Sequence, residues 1–163
     1  MKMKDAQSAR RSEDKEPNKT THYKEYIERI VNFLEIEYEL QVMFERDGET
    51  ALFHERRGIV PGDFIVVNNR VTRQRQLYLL LHEAGHVLLR ECEKEHKRRY
   101  PAAVVGSKRA TRAHKIDTLR EEVMAWEKGR EIAEDFQVPI DDSVWHSMVT
   151  SALYKYLEWS KNA

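Results

Sequence analysis

Two histidines and a glutamate lie inside a long apolar stretch, Leu77 to Leu89 (LYLLLHEAGHVLL). His82 and His86 are four residues apart, so on a helix their imidazole rings project from the same face, one turn apart. Two imidazoles at that spacing can bind one metal ion, and Glu83 beside them can accept a proton from metal-bound water. The spacing predicts a metal-dependent hydrolytic site with His82 and His86 as ligands and Glu83 as general base.

The surroundings of these three residues favour that interpretation. Their segment is apolar on nearly every side, which is the pattern of a buried helix. Burying two imidazoles and a carboxylate without partners is energetically costly, and a bound cation would remove that cost. A chance HExxH match is the alternative, but it would more often fall on a polar surface than in an apolar helix.

A catalytic zinc site usually takes three protein ligands and leaves one position for water, so a third ligand is required. Cys92 stands where the longer motif HExxHxxGxxH would place its last histidine, but Leu89 replaces the glycine that would turn the chain back. His96 and His114 lie in or near a basic loop and are more typical of surface histidines. Without that glycine, Cys92 is excluded as the third ligand. His96 and His114 stay possible third ligands on geometry alone.

The acidic residues between Leu119 and Phe136 are more informative. At about 100° per residue, Glu122 falls near the centre of the apolar face of this predicted helix. Glu121 lies at the edge of that face and completes a capping box with Thr118. A carboxylate in the middle of an apolar face is expensive unless a cation neutralises it. Glu122 is the predicted third ligand, and a buried salt bridge to an arginine is the alternative.

The flanking segments predict an α+β fold. An amphipathic helix from Tyr23 to Tyr38 precedes three short strands, and Asp47-Gly48 is typical of a hairpin turn between the first two strands. We expect an N-terminal helix, a small three-stranded and mostly antiparallel sheet, the HExxH helix with Thr72 as N-cap, the helix that carries Glu122, and a C-terminal helix that begins at Asp141 or Asp142.

The third strand, Phe64 to Asn68, leads directly into the HExxH helix and is well placed to border a cleft. An exposed edge there could pair with an extended peptide by strand addition. Val66, Val67 and Asn68 are therefore predicted substrate-binding residues. An ordinary sheet strand without contact to substrate is the equally open alternative.

Length and composition suggest a single domain without a membrane segment. We expect a disordered charged tail at residues 1–20 and one domain at residues 21–163, within which residues 93–116 form a mobile basic loop. The lone Cys92 excludes an internal disulfide framework. No apolar run reaches the length of about 18 residues that spans a membrane, and the expected location is the cytoplasm.

Charge leaves a second class of function open. The 28 basic and 28 acidic residues balance, so there is no overall attraction to nucleic acid or to an anionic membrane. Residues 94–115 are nevertheless locally basic. The alternative to an enzyme is a non-catalytic regulatory module that contains a metal and binds nucleic acid or an acidic protein through this loop.

These motifs resemble those of the ImmA/IrrE-type metallopeptidases. The resemblance rests on the run IVVNN…RQRQLYLLLHEAGHVLL, on Glu122-x-x-Ala125 and on Pro139 near the end of the next helix, and it covers residues from about 23 to 140. Within the second motif, three residues stand where the family commonly has Asn, Phe and Ala: Trp126, Lys128 and Gly129.

The resemblance implies a zincin-like minimal metalloprotease fold and a gluzincin-like site in which His82, His86 and Glu122 bind Zn²⁺. It further implies an endopeptidase, often encoded by phages or mobile elements, that cleaves a regulatory protein such as a repressor. The chain has no recognisable helix-turn-helix, so a DNA-bound protein would be a separate substrate. Tyr100 and His114 are candidates for stabilising the oxyanion.

Overall fold

The computed structural model of the protein describes residues 19–46, 50–53, 63–103 and 111–161. These ranges contain five helices and three strands and form an α+β fold, as predicted. In chain order the elements are α1 (Lys19–Tyr38), β1 (Gln41–Glu45), β2 (Ala51–Phe53), β3 (Phe64–Asn68), α2 (Arg73–Arg90), α3 (Glu93–Arg99), α4 (Arg112–Asp135) and α5 (Asp142–Lys161). The predicted tail lies mostly outside the described residues, and α1 already begins at its end.

The three-stranded sheet is mixed, and its strand order corrects the predicted arrangement. The order is β1-β3-β2: β3 runs parallel to β1, with Gln41 opposite Phe64, and antiparallel to β2, with Ala51 opposite Val66. A hairpin pairing of β1 with β2 was therefore the wrong expectation, and its turn at Asp47-Gly48 lies outside the described residues. The continuous apolar run of β3 suits a central strand, because such a strand is covered on both faces.

Helix α2 is the most buried helix of the fold. Thr72 caps it as predicted, its hydroxyl accepting a hydrogen bond from the Arg75 N–H at 3.4 Å. The buried Gln76 side chain donates a hydrogen bond to the Val71 carbonyl at 2.8 Å, which satisfies a polar group in the first turn. Apolar residues of α1, β3, α4, α5 and the connection between α4 and α5 surround the helix and form one core with it: Ile27, Ile30, Leu34, Ile65, Val67, Leu77, Tyr78, Leu80, Leu81, Ile132, Val138 and Trp145.

Two glycines let α2 and α4 cross in close contact. A Cβ added at Gly85 would lie 2.1 Å from the carbonyl oxygen of Ala125, and one added at Gly129 would lie 2.6 Å from the carbonyl oxygen of Leu81. Real Cβ contacts essentially never fall below 3.0 Å. The helix that carries the histidines and the helix that carries Glu122 are therefore held at backbone contact distance.

Helix α4 begins earlier than the sequence pattern suggested. Its N-cap is Thr111, whose hydroxyl accepts a hydrogen bond from the His114 N–H at 3.1 Å. The predicted capping box is wrong, because Thr118 lies inside the helix and its hydroxyl donates to the His114 carbonyl at 2.8 Å. Part of the predicted basic loop is also helical, since α3 occupies residues 93–99, while residues 104–110 lie outside the described part.

Helix α5 is fixed to α2 at its first turn. The Tyr78 hydroxyl accepts a hydrogen bond from the Asp141 N–H at 2.8 Å, and the Tyr78 ring packs against Trp145 edge to face, with centroids 5.2 Å apart. The Asp141 carboxylate accepts from the Val144 N–H at 3.1 Å, so it caps the helix as predicted. None of the helices in the described ranges has the length and apolar character needed to cross a membrane.

Candidate metal centre

The fold brings His82, His86 and Glu122 together. Nε2 of His82 lies 3.3 Å from Oε2 of Glu122, and Nε2 of His86 lies 3.4 Å from Oε1 of the same carboxylate. All three side chains are buried, and one ligand atom from each lies within 4.8 Å of the others. The ion pairs recorded for Glu122 among the described residues go to these two histidines, so the alternative of a buried arginine salt bridge is not what the structure contains.

These separations fit a cation with nitrogen and oxygen ligands. A tetrahedron with bonds of about 2.1 Å to its centre has edges of about 3.4 Å, which is the ligand spacing of a zinc site. The two distances from Glu122 to the histidines are close to that length, although they end at different oxygens of the carboxylate, and one ligand atom from each residue lies within 4.8 Å of the others. The donor set of two imidazoles and a carboxylate is also one that such sites use. The three residues therefore form a cluster that could hold a metal ion.

Mutual charge stabilisation dominates the electrostatics of the three residues. Burial alone would lower the pKa of His86, but its contacts with the carboxylates of Glu121 and Glu122 raise that pKa to about 9. Burial would raise the pKa of Glu122, yet the two histidines hold it well below its usual range. Without a cation, a proton on His86 supplies the positive charge that the carboxylates require.

The two histidines are oriented by different neighbours. The His82 ring stacks on the indole of Trp126, with centroids 4.3 Å apart and an interplanar angle of 20°. Nδ1 of His86 instead faces Oε1 of Glu121 at 3.5 Å. Trp126 is one of the residues that depart from the family's second motif, and in this chain it packs directly on a candidate ligand.

Glu121 is engaged on the side of His86 away from Glu122. Oε1 of Glu121 accepts hydrogen bonds from the Arg90 guanidinium at 2.7 and 2.9 Å, and Nε2 of His96 lies 3.2 Å from the same oxygen. Burial would raise the pKa of Glu121, but His86 and Arg90 lower it to about 2. Its assignment to a helix cap from the sequence was wrong, because α4 begins a full two turns earlier.

The predicted general base, Glu83, lies in the same cleft. It is buried, and it lines an open cleft of about 1050 Å³ together with the three candidate ligands. Thr50, Ala51 and Asn68 line the cleft, as do four residues of α5. The remaining lining residues are Val71, Leu79, Arg90, Ala103, His114, Thr118, Glu121, Trp126, Ala152, Lys155, Tyr156 and Trp159.

Tyr156 is a site residue that the sequence did not reveal. It occupies the face of α5 that turns toward the cleft, and its hydroxyl hydrogen-bonds the Glu122 carboxylate. Burial and the neighbouring carboxylates of Glu122, Glu83 and Glu121 raise the pKa of Tyr156 far above its ordinary value. Helical periodicity placed Tyr156 only on the apolar face of α5. The one sequence signal for a role in the site was the residue type itself, because a buried tyrosine hydroxyl needs a hydrogen-bond partner.

The predicted substrate residues of β3 are placed differently from each other. Val66 and Val67 are buried in the sheet, whereas Asn68 lines the cleft. Strand addition to β3 is excluded, because β1 and β2 occupy both of its edges and the Thr50 hydroxyl accepts from the Asn68 N–H at 3.0 Å. A role of these residues in substrate binding stays a prediction.

The other candidates from the sequence contribute less. Cys92 is exposed, and His96 contacts Glu121 rather than the ligand triad. His114 does line the cleft, with its Nδ1 donating to the Ala102 carbonyl at 2.8 Å. Tyr100 is buried beneath the Arg120 guanidinium, 5.7 Å from its ring centroid, and is not among the cleft-lining residues.

The positive charges of the basic segment, residues 94–115, are partly neutralised in the part that the structure describes. In α3, Lys97 pairs with Glu93 at 2.5 Å, and Arg98 and Arg99 pair with Glu95 at 2.7 and 3.0 Å. These internal pairs reduce the net positive charge that nucleic acid would encounter. The described part of this segment therefore gives no particular support to a nucleic-acid site.

Comparison with known proteins bears out the resemblance. Residues 37–141 match the model of the Peptidase_M78 family, described as the IrrE N-terminal-like domain, and this range includes β1 to β3, α2, α3 and α4. Comparisons with curated proteins and with solved structures give no match. The matched region covers well over half of the chain and contains every candidate ligand. The chain belongs to the IrrE N-terminal-like family of metallopeptidases.

Proposed function

We propose that this protein is a zinc-dependent endopeptidase that hydrolyses peptide bonds of a regulatory protein in the cytoplasm. The observation that carries the proposal is the convergence of His82, His86 and Glu122, whose ligand atoms lie within 4.8 Å of one another, with Glu83 in the same cleft. Membership in a metallopeptidase family supports a protein substrate. A regulator such as a repressor is the target class that the family resemblance favours.

His82, His86 and Glu122 would hold the cation. When bound, it lowers the pKa of water and polarises the scissile carbonyl group. Zinc is the ion that best fits two imidazoles and one carboxylate at these separations. The buried positions of the ligands and the stack of Trp126 on His82 keep the donor atoms oriented for that purpose.

Glu83 would carry the proton transfers. Its carboxylate accepts a proton from the attacking water as the water oxygen bonds to the carbonyl carbon. Glu83 then delivers this proton to the amide nitrogen as the carbon–nitrogen bond breaks, so that a free amine and a carboxylic acid leave the site. A purely structural metal site would not need an acidic side chain at this position, which favours an enzyme over a metal-containing binding module.

Tyr156 would stabilise the negative charge that develops on the carbonyl oxygen. Its hydroxyl is a hydrogen-bond donor inside the cleft, and its raised pKa keeps the proton in place. Donors aimed at a developing oxyanion typically contribute about 100- to 1000-fold to kcat. Tyr156 is therefore preferred over Tyr100 and His114 as the oxyanion-stabilising residue.

The cleft suits an extended peptide. Its volume of about 1050 Å³ lies at the upper end of the range for small-molecule pockets, and it is open rather than enclosed. Thr50 and Ala51 line it beside β2, which is an edge strand of the sheet among the described residues. Backbone groups at an edge strand can pair with a substrate, so strand addition would occur at β2 rather than at β3.

The decisive experiment compares the wild-type protein with Glu83→Gln, His82→Ala and Glu122→Ala. Purified wild-type protein should contain about one zinc per chain and cleave some members of a quenched fluorescent peptide library. Glu83→Gln should keep its zinc and lose about 100- to 10,000-fold in kcat/KM, because only the base is removed. His82→Ala and Glu122→Ala should lose the zinc.

Two results would overturn the proposal. Wild-type protein without zinc, whose thermal unfolding does not respond to chelators, would show that the cluster does not bind this metal. A zinc-loaded wild-type protein whose cleavage is unchanged by Glu83→Gln would show that the observed hydrolysis does not use this site.

A further inference from the structure

A second layer of polar contacts lies behind one of the candidate ligands. Glu121 is 5% exposed and neighbours Glu122 in sequence, but its carboxylate points to the other side of the His86 ring. Three groups converge on its Oε1: the Arg90 guanidinium at 2.7 Å, Nε2 of His96 at 3.2 Å and Nδ1 of His86 at 3.5 Å. A buried carboxylate with this many neighbours is rigidly placed.

The orientation of His86 depends on which of its nitrogens carries the proton. A neutral imidazole has one N–H group, and only the other nitrogen can bind a cation. Nε2 of His86 faces Glu122, on the side where the ligand atoms converge, while Nδ1 faces Glu121. An acceptor at Nδ1 favours the tautomer whose Nε2 lone pair is available, and it fixes the direction of the ring.

We propose that Glu121 is a positioning residue of the metal centre: it holds His86 from behind, and Arg90 and His96 hold Glu121. The 3.5 Å separation is longer than an ideal hydrogen bond, so in this structure Glu121 acts on His86 through its charge and its position. This inference rests on the proposed zinc site but assigns a role that the proposed reaction does not itself require.

The arrangement also gives α3 a function. His96 belongs to α3, and its contact with Glu121 connects that helix to the metal centre, while Arg90 makes the same connection from the last turn of α2. Among the described residues, Nδ1 of neither histidine makes a hydrogen bond of good geometry, but Nδ1 of His86 has the Glu121 carboxylate 3.5 Å away, whereas the His82 ring stacks on Trp126. Removal of the Glu121 charge should therefore disturb His86 and leave His82 in place.

Glu121→Gln is the direct test, and Asp117→Asn is its matched control. Asp117 is another buried carboxylate of α4, one turn earlier, which accepts from the Ala102 N–H at 2.9 Å and pairs with Arg120 at 2.9 Å. Zinc affinity is measured on the full chain by competition with a chelator. Glu121→Gln should weaken it about 10- to 100-fold, and Asp117→Asn should leave it unchanged.

A spectroscopic readout separates positioning from general stability. In zinc-loaded wild-type protein, the Nδ1 proton of His86 should be shifted downfield and slow to exchange, as expected for a proton held by a carboxylate. Glu121→Gln should move this resonance upfield and speed its exchange, while the Nδ1 proton of His82 stays unchanged. If Glu121→Gln does not fold, Arg90→Met replaces it as the test variant, because it releases Glu121 from one side. Arg90→Met should change both the zinc affinity and the His86 resonance in the same direction by a smaller amount.

The outcomes distinguish this proposal from the one on which it rests. Wild-type protein that binds no zinc overturns the metal site and this inference with it. Wild-type protein that binds zinc, together with a Glu121→Gln variant within a factor of about two in affinity and an unchanged His86 resonance, overturns only the positioning role. An equal loss in Asp117→Asn also overturns it, because the loss would then follow from any missing carboxylate of α4.

Discussion

A methyl group at Gly85 would test whether the metal centre depends on the close crossing of α2 and α4. The Cβ of Gly85→Ala would lie 2.1 Å from the carbonyl oxygen of Ala125 and 3.1 Å from the backbone nitrogen of Gly129. Both neighbours are backbone atoms and cannot rotate away. The two helices must therefore separate by about 1 Å before the shorter contact becomes tolerable.

That separation acts directly on the ligands. His82 and His86 flank Gly85 on α2, and Glu122 lies one turn before Ala125 on α4. The distances of 3.3 and 3.4 Å between the histidines and Glu122 would grow to about 4 Å or more, too long for a tetrahedral site with bonds of about 2.1 Å. We expect zinc affinity to fall at least tenfold, which corresponds to about 1.4 kcal/mol.

The effect on stability has two opposing parts. Overpacking a close contact costs about 1–3 kcal/mol, while replacing glycine by alanine inside a helix contributes about 1 kcal/mol in its favour. The free energy of unfolding should therefore fall by up to about 2 kcal/mol, which lowers Tm by up to about 8 °C for a chain of this size. Thermal unfolding of the metal-free protein and chelator competition for zinc measure the two quantities separately.

Gly129→Ala provides a graded comparison at the same crossing. Its Cβ would lie 2.6 Å from the Leu81 carbonyl oxygen, so a shift of only about 0.4 Å restores a tolerable contact. Zinc affinity should therefore decrease from wild type to Gly129→Ala to Gly85→Ala. If Gly85→Ala instead raises Tm and binds zinc as tightly as wild type, the ligand spacing does not depend on the crossing and the reasoning is refuted.

Three further predictions concern the chemistry of the cleft. Tyr156→Phe should reduce kcat about 100- to 1000-fold with little change in KM, as measured by steady-state kinetics. Its zinc affinity, measured by chelator competition, should change little. A loss of zinc affinity with an unchanged kcat would instead make Tyr156 a support for Glu122. Burial lowers the pKa of His86, but Glu121 and Glu122 outweigh that effect and raise it to about 9 in the metal-free protein. His86 should therefore carry a proton at pH 7, and zinc binding should release about one proton. Calorimetry in buffers of different ionisation enthalpy measures this release, and a value near zero would contradict it. Since the pKa of His86 is raised from 6.5, its contribution to the stability of the metal-free protein should be complete below about pH 6.5 and disappear as the pH rises through 9.

The cluster of candidate ligands was accessible from the sequence because it depends on local geometry. The helical period alone places His82 and His86 on one face and Glu122 at the centre of another apolar face, and both helices have that geometry in the structure. The sheet order was not accessible in the same way. A hairpin signal reports only on its own few residues, whereas the insertion of β3 between β1 and β2 depends on pairing β1 with β3 across 23 residues of sequence.

Glu121 illustrates how a correct local rule can give a wrong assignment. Thr118 and Glu121 have the spacing of a capping box, and the sequence contains no mark against it. Thr111 caps α4 instead, which leaves Thr118 to bond within the helix and frees Glu121 to contact His86 and Arg90. Which of two possible caps is used depends on the packing of the preceding chain, and this information is not local.

Two of the three residues that depart from the family's second motif, Trp126 and Gly129, are explained by the same helix crossing. Gly129 faces the Leu81 carbonyl so closely that a side chain there would push α2 away, and Trp126 fills the space beside His82 with a stacked indole. Trp126 in turn packs edge to face on Trp145, with centroids 5.1 Å apart, which fixes the start of α5. From Trp145, α5 runs three turns to Tyr156, so both residues project from nearly the same face. The substitutions that reduce the resemblance thus connect the first ligand to the helix that carries the proposed oxyanion donor, although α5 itself lies beyond the matched region of the chain.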